Sequence, residues 1–135
     1  MKKIFYLLLI ALFCGAFVSC SKDDNAEDET SYEELIIGTW NLVKDEFFGE
    51  YIYYDYGDFI FRFKDNGTGY TIYDGYRSDI EWEIIDSKLY IYDESDDSEM
   101  EATIKELTED ALVIRIYEEY EGNKISITEY FEREY

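Results

Sequence analysis

The chain has 135 residues, and its 33 acidic and 12 basic side chains give a net charge of −21. This acidity argues against a nucleic-acid partner, because nucleic-acid binders need basic surfaces. The absence of histidine excludes histidine bases and Cys/His zinc sites, and an aromatic content of 19% excludes an acidic disordered tail.

The first 19 residues have the organisation of a secretory signal peptide. Two lysines precede an apolar run over residues 4–18, which is shorter than the roughly 20 apolar residues of a membrane-spanning helix. The small residue Ser19 ends the run, and Cys20 follows directly. The segment therefore resembles a bacterial lipoprotein signal, in which the cysteine after the cleavage site is lipidated. This resemblance predicts a signal peptide over residues 1–19 and a lipid on Cys20.

The residues after Cys20 indicate in which membrane, and on which side of it, the protein is expected. A bacterial lipoprotein carries several acyl chains, which hold a protein durably on a membrane. The residue after Cys20 is Ser21, and not the aspartate that would resemble an inner-membrane retention signal. Lys22-Asp23-Asp24 resembles the surface-export signal of Bacteroidota lipoproteins. We therefore expect an outer-membrane lipoprotein exposed at the cell surface, with a periplasm-facing protein as the alternative.

A polar linker and a short helix are predicted next. Half of residues 21–30 are acidic and none is large and apolar, so residues 20–30 are predicted to form a flexible acidic tether. Ser31 is followed three residues later by Glu34, which fits a capping box at a helix start. We expect one helical turn over about residues 31–36, at the beginning of a single domain over residues 31–135.

From Gly38 onward, apolar and polar residues alternate with the period of a β-strand. Asn66-Gly67 is a strong hairpin signal, and the other connections are mostly short, which requires antiparallel neighbours. Such a meander leaves unpaired edges unless it closes. The predicted fold class is therefore all-β, an eight-stranded antiparallel up-and-down barrel, with a β-sandwich as the alternative. The predicted strands cover residues 38–44, 59–64, 68–73, 80–84, 89–92, 100–105, 112–117 and 125–131.

Several motifs resemble those of one family. Gly38-Thr39-Trp40, directly after a helical turn, resembles the G-x-W signature of lipocalins. The runs 61–69 and 80–84 are similar to hairpins of the small lipocalin-like domains of Bacteroidota lipoproteins, and the likeness covers roughly residues 36–134. Two features differ from full lipocalins: the T-D-Y signature is missing before a late strand, and a C-terminal helix is absent.

The lipocalin resemblance implies roles for particular residues. Trp40 would plug the closed end of the barrel, with Arg133, or less favourably Arg115, packed on its face as a cation–π partner. Inward residues would line a ligand cavity, although six bulky side chains could instead fill a narrow barrel. These six are Phe59, Phe61, Phe63, Ile80, Trp82 and Ile84, and the outward set includes Arg62, Glu81, Glu83, Tyr90 and Tyr92.

A tyrosine-rich segment lies between Gly49 and Gly57. In lipocalins this connection is the large loop over the mouth of the cup, so the resemblance places the tyrosines in a mouth loop suited to flat ligands. The alternative is that the first strand continues through them as a β-ribbon. The predicted mouth-loop residues are Tyr51, Tyr53, Tyr54 and Tyr56.

The predicted function is a membrane-anchored, non-catalytic binding domain for a small apolar or aromatic-compatible ligand. One alternative is a filled barrel that acts as a protein-interaction or envelope-structural module, and another is glycan capture at the cell surface. No enzyme activity, metal or cofactor is predicted. The expected partners are the membrane, through the N-terminal lipid, and a small apolar ligand, a glycan or a protein.

Overall fold

The computed structural model describes residues 30–135, so the predicted signal peptide, the lipidation site Cys20 and nearly all of the tether lie outside the described residues. The described part contains one short helix and nine strands. In chain order these are α1 (Tyr32–Leu35), β1 (Gly38–Phe47), β2 (Glu50–Tyr53), β3 (Phe59–Phe63), β4 (Thr68–Tyr73), β5 (Tyr76–Ile85), β6 (Lys88–Asp93), β7 (Ser98–Leu107), β8 (Ala111–Tyr120) and β9 (Asn123–Glu134).

The strands form a closed barrel. From β3 to β9 each strand pairs antiparallel with the next, β1 pairs with β3, and β1 also pairs with β9. Closure removes the unpaired edges that an open meander would expose. The predicted antiparallel barrel of eight strands is therefore confirmed, and its strands are β1 and β3–β9.

Strand β2 is a ninth strand, beyond the eight of the predicted barrel, and it lies where the sequence offered a β-ribbon as the alternative to a mouth loop. Phe48 and Gly49 both have positive φ, 53° and 78°, as a two-residue hairpin turn of the primed type requires. This turn folds β2 back along β1, with Phe47 opposite Glu50 and Lys44 opposite Tyr53. Tyr51 and Tyr53 thus lie on a hairpin strand, as the β-ribbon alternative for this segment expected.

The short predicted helix is confirmed as α1, and it begins at its predicted cap. The Ser31 hydroxyl accepts a hydrogen bond from the Glu34 amide at 3.3 Å, which satisfies one of the free donors at the helix start. The chain then buries Ile36 completely and enters β1. The helix thus leads directly into the first barrel strand.

The core occupies the interior of the barrel because alternate residues of each strand point inward. Eight of its side chains are almost fully buried: Ile36, Trp40, Phe63, Ile80, Leu89, Leu112, Ile114 and Phe131. A register shift between Leu42 and Lys44 interrupts the alternation on β1. Such a bulge turns the residues that follow it to the opposite face, which brings Asp45 to the inner side.

Candidate functional site

Trp40 and Arg133 are neighbours on adjacent strands. They stand directly opposite each other in the β1–β9 ladder, and the guanidinium carbon of Arg133 lies 4.3 Å from the centroid of the Trp40 ring. Trp40 is fully buried, and its Nε1 donates a hydrogen bond to the carbonyl of Ile36 at 2.8 Å. Arg115, the alternative partner from the sequence, pairs instead with Thr103 and Thr128.

Arg133 also binds the chain segments around this end of the barrel. Its Nη1 donates to the carbonyl of Ile37 at 2.8 Å, its Nη2 to the carbonyl of Leu35, and its Nε to the carbonyl of Glu109. A β-carbon at Gly38 would collide with this guanidinium, so only glycine fits there. Arg133 therefore joins α1, β1 and the β7–β8 turn to the tryptophan.

The predicted interior aromatics pack against one another. The ring centroids of Phe59 and Phe61 are 4.9 Å apart, and those of Phe61 and Phe63 are 5.1 Å apart. The row continues from Phe63 to Trp82 at 5.6 Å, and from Phe61 on β3 to Phe131 on β9, the two strands that flank β1, at 5.4 Å. Ile80 is buried beside this row, and Ile84 packs against the core. The aromatic rings therefore contact one another inside the barrel.

The four tyrosines predicted for the mouth are in three different environments. The Tyr51 ring lies 4.4 Å from the Lys44 Nζ, and the Tyr53 ring lies 5.9 Å from it. Tyr54 packs against the core and donates a hydrogen bond to Asp45. Tyr56 donates to Glu134, at the far end of β9. The four side chains therefore do not form a single binding surface.

A group of acidic side chains lies on the inner side of the barrel. Glu129 stands opposite both Asp45 and Ile114, and the Tyr54 hydroxyl donates to Asp45 Oδ2 at 2.7 Å. Burial, assisted by the charges of Asp45 and Glu118, raises the pKa of Glu129 to about 8. Glu129 is therefore mostly protonated at neutral pH. The buried Oδ1 of Asp45 has no hydrogen-bond partner among the described residues.

A groove of about 630 Å³ runs along β5, β6 and β7, beside the β3–β4 turn. Six of its lining residues alternate with the inward residues of these strands and therefore face outward, whereas Trp82, Ile91 and Met100, which also line it, belong to the core or pack against it. We therefore place the opening of the groove on the outer wall of the barrel. Its outward-facing lining residues are Glu81, Glu83, Tyr90, Tyr92, Glu99 and Glu101.

Strand register arranges these six residues in two rows across the groove. Tyr92 stands between Glu81 and Glu99, and Tyr90 stands between Glu83 and Glu101. The Tyr92 hydroxyl donates to Asp97, which raises its pKa to about 12. Partial burial raises the pKa of Glu83.

The sequence analysis placed four of these residues on the outer face but did not identify a site. These four, Glu81, Glu83, Tyr90 and Tyr92, alternate with apolar residues, which predicts that their side chains point outward. Their alignment with Glu99 and Glu101 depends on the pairing of three strands, and no sequence motif specifies this.

Within residues 30–135, no cluster of three or more histidine, cysteine, aspartate or glutamate side chains has a geometry that could hold a metal ion. The described helix is also too short to cross a membrane.

These observations define a class of protein: a small, closed antiparallel barrel, entered through a short helix and a G-x-W strand, with the tryptophan held under a late arginine. The model of the family described as "Lipocalin-like domain" matches residues 36–114. The chain therefore belongs to the lipocalin-like domain family.

Solved structures share the fold. A lipocalin-like protein from Bacteroides uniformis is similar with a TM-score of 0.59 and 15% identity, over 74% of this chain and 99% of that one. An uncharacterized protein from Bacteroides eggerthii is similar with a TM-score of 0.56 and 15% identity, over 73% of this chain and 98% of that one. No curated protein matches the chain.

Proposed function

We propose that this protein is a membrane-anchored, non-catalytic binding module that acts through the outer surface of a filled barrel. The observation that carries the proposal is the row of packed aromatic rings from Phe59 to Trp82, which also contacts Phe131. A ligand in the barrel would have to displace these rings, and loss of such packing is costly.

The filled interior favours interaction at the surface over capture of a small apolar ligand. Ligand sites are typically concavities of about 300–1,000 Å³, and the groove that reaches this size lies on the outer wall. Glycan capture by the tyrosine segment has less support, because Lys44 already covers the Tyr51 ring. A surface interaction module is therefore the function that these contacts support best.

The barrel interior can be tested with an apolar dye. We expect the soluble part of the chain, residues 21–135, to leave the fluorescence of neutral N-phenyl-1-naphthylamine unchanged, because the interior has no room for it. Native mass spectrometry of the same protein purified from its own host should show no additional small mass. Strong dye binding or a co-purifying apolar molecule would contradict a filled barrel.

The variant Phe61→Ala provides a positive control for the dye experiment. Phe61 is 3% exposed, so its truncation should create a cavity and cost about 3–5 kcal/mol of stability. Apolar cavities of this kind stay dry and accept benzene. Saturating benzene should therefore raise the melting temperature of Phe61→Ala and leave that of the wild type unchanged.

The anchor is part of the proposal and rests on Cys20. We expect cells that express the chain to incorporate radiolabelled palmitate into it and to retain it in the membrane fraction. Cys20→Ser should abolish the label and release the protein, whereas Ser21→Ala should change neither. Protease added to intact cells should remove the wild-type protein. Its survival until lysis would instead place it on the periplasmic side.

A further inference from the structure

The outer groove on β5–β7 combines two features that attract cations. Its walls carry glutamates from β5 and β7, and its central strand contributes the rings of Tyr90 and Tyr92. An aromatic face attracts a cation through its quadrupole, and a neighbouring carboxylate adds charge.

The glutamates of the groove are mostly without a cation of their own. Within residues 30–135, the ion pairs are Arg77 with Asp79 and Lys88 with Glu101. Glu81, Glu83 and Glu99 are therefore free to pair with cations from outside.

Other tyrosines of this protein show how its outer wall binds cations. Five have a lysine or arginine of the same chain near the ring: Lys44 Nζ lies 4.4 Å from the ring centroid of Tyr51, 4.8 Å from that of Tyr130 and 5.9 Å from that of Tyr53, Arg77 lies 4.1 Å from Tyr70, and Lys124 lies 4.6 Å from Tyr117. In the described part of the chain, no such cation lies over Tyr90 or Tyr92. The groove thus holds two aromatic faces that are available to a partner.

The spacing of the rows indicates the kind of partner. Tyr90 and Tyr92 are two residues apart on one strand, which places the two rows about 6.6 Å apart. In an extended peptide, residues i and i+2 point to the same side with the same spacing. Two cations at alternating positions of an extended segment would therefore meet one Glu-Tyr-Glu row each.

We propose that the groove on β5–β7 binds an extended basic segment of a partner protein, with lysine or arginine at alternating positions. One cation lies over Tyr92 between Glu81 and Glu99, and the other lies over Tyr90 beside Glu83, because Glu101 already pairs with Lys88. The proposal builds on the proposed function by naming the chemistry of the partner that the outer wall takes.

The test uses the full chain purified in non-ionic detergent and isothermal titration calorimetry at 50 mM and 300 mM salt. The probe is the peptide Ser-Lys-Thr-Lys-Thr-Lys-Ser, and its matched control, Ser-Thr-Lys-Lys-Lys-Thr-Ser, has the same composition with contiguous lysines. We expect the alternating peptide to bind at least tenfold more tightly than the contiguous one, and to lose affinity at the higher salt concentration. Equal affinities would overturn the proposal, and so would spermidine or calcium binding as tightly as the alternating peptide.

Two sets of variants locate the binding. The double variant Tyr90→Leu/Tyr92→Leu should weaken binding at least tenfold, and the triple variant Glu81→Gln/Glu83→Gln/Glu99→Gln should do the same without removing a ring. Matched controls on other outer surfaces are Tyr70→Leu/Tyr117→Leu and Glu106→Gln/Glu109→Gln/Glu119→Gln, which should bind as the wild type does. If a control set weakened binding as much as its groove set, general acidity and not the groove would be the cause.

The dye and peptide experiments distinguish a failure of the groove proposal from a failure of the filled-barrel proposal. Dye exclusion without peptide binding would overturn the groove and leave the filled barrel intact. Dye binding inside the barrel together with row-dependent peptide binding would overturn the filled barrel and support the groove.

Discussion

Glu129→Gln should raise the melting temperature of the protein by about 5–15 °C at pH 8.5 and have little effect at pH 4.5. Burial beside Asp45 and Glu118 holds the pKa of Glu129 at about 8, above its ordinary value of 4.5. The unfolded chain therefore releases this proton at a lower pH than the folded protein does. The stability linked to Glu129 is complete below about pH 4.5 and is lost as the pH rises through about 8.

The size of this effect follows from the pKa shift. Each unit corresponds to about 1.4 kcal/mol, but partial exposure and water penetration reduce the sum, so we expect about 1–3 kcal/mol at pH 8.5. Glutamine has the same shape, carries no charge and can donate to Asp45. Thermal melts of the wild type and the variant at both pH values measure the difference.

Glu106→Gln is the control, because Glu106 is exposed on the neighbouring strand β7. It should leave the melting temperature within about 2 °C of the wild type at either pH. If Glu129→Gln changed the melting temperature equally at pH 4.5 and pH 8.5, removal of the negative charge on Glu129 would not be the cause of the change.

Trp40→Ala should destabilise the barrel by about 3–5 kcal/mol, among the largest effects of any single truncation. Trp40 is fully buried, bonded to the Ile36 carbonyl at 2.8 Å and covered by Arg133. Its loss leaves a cavity, an unpaired carbonyl and an arginine without its aromatic face. Urea unfolding followed by circular dichroism measures the change in the free energy of unfolding.

Two further substitutions separate the contributions at this end of the barrel. Trp40→Phe keeps most of the packing and should cost about 1–2 kcal/mol for the lost hydrogen bond. Arg133→Met removes the donors to Leu35, Ile37 and Glu109 and should cost about 2–4 kcal/mol. The control Tyr76→Ala, at a residue 78% exposed, should change little. If Trp40→Ala resembled Tyr76→Ala, the plug role would be wrong.

Much of the barrel was predictable because its strands alternate clearly and its turns are short. Phe59, Phe61 and Phe63 alternate with polar neighbours, and Asn66-Gly67 marks a hairpin, so strand positions followed from local chemistry. Strand β2 was only an alternative prediction because its turn places Phe48 at positive φ beside Gly49. Phenylalanine rarely adopts this conformation, so the turn signal at Phe48-Gly49 is weaker than that at Asn66-Gly67.

The contact between Asp45 and Glu129 and the alignment of the groove side chains both depend on how the strands pair with one another. Asp45 meets Glu129 only because a bulge in β1 turns it inward beside β9. The glutamates and tyrosines of the groove align only through the registers of β5, β6 and β7. Alternation shows that a side chain points outward, but it does not show which residue stands beside it.

The sequence by itself determined the barrel class, the positions of most strands and the expected lipid anchor, because each depends on patterns within a few consecutive residues. Only the tertiary structure showed which interior aromatic rings contact one another, that the tyrosine segment is divided among three environments, and that two Glu-Tyr-Glu rows line one groove. The physical reason is that strand register and barrel closure bring together side chains that are far apart in the chain.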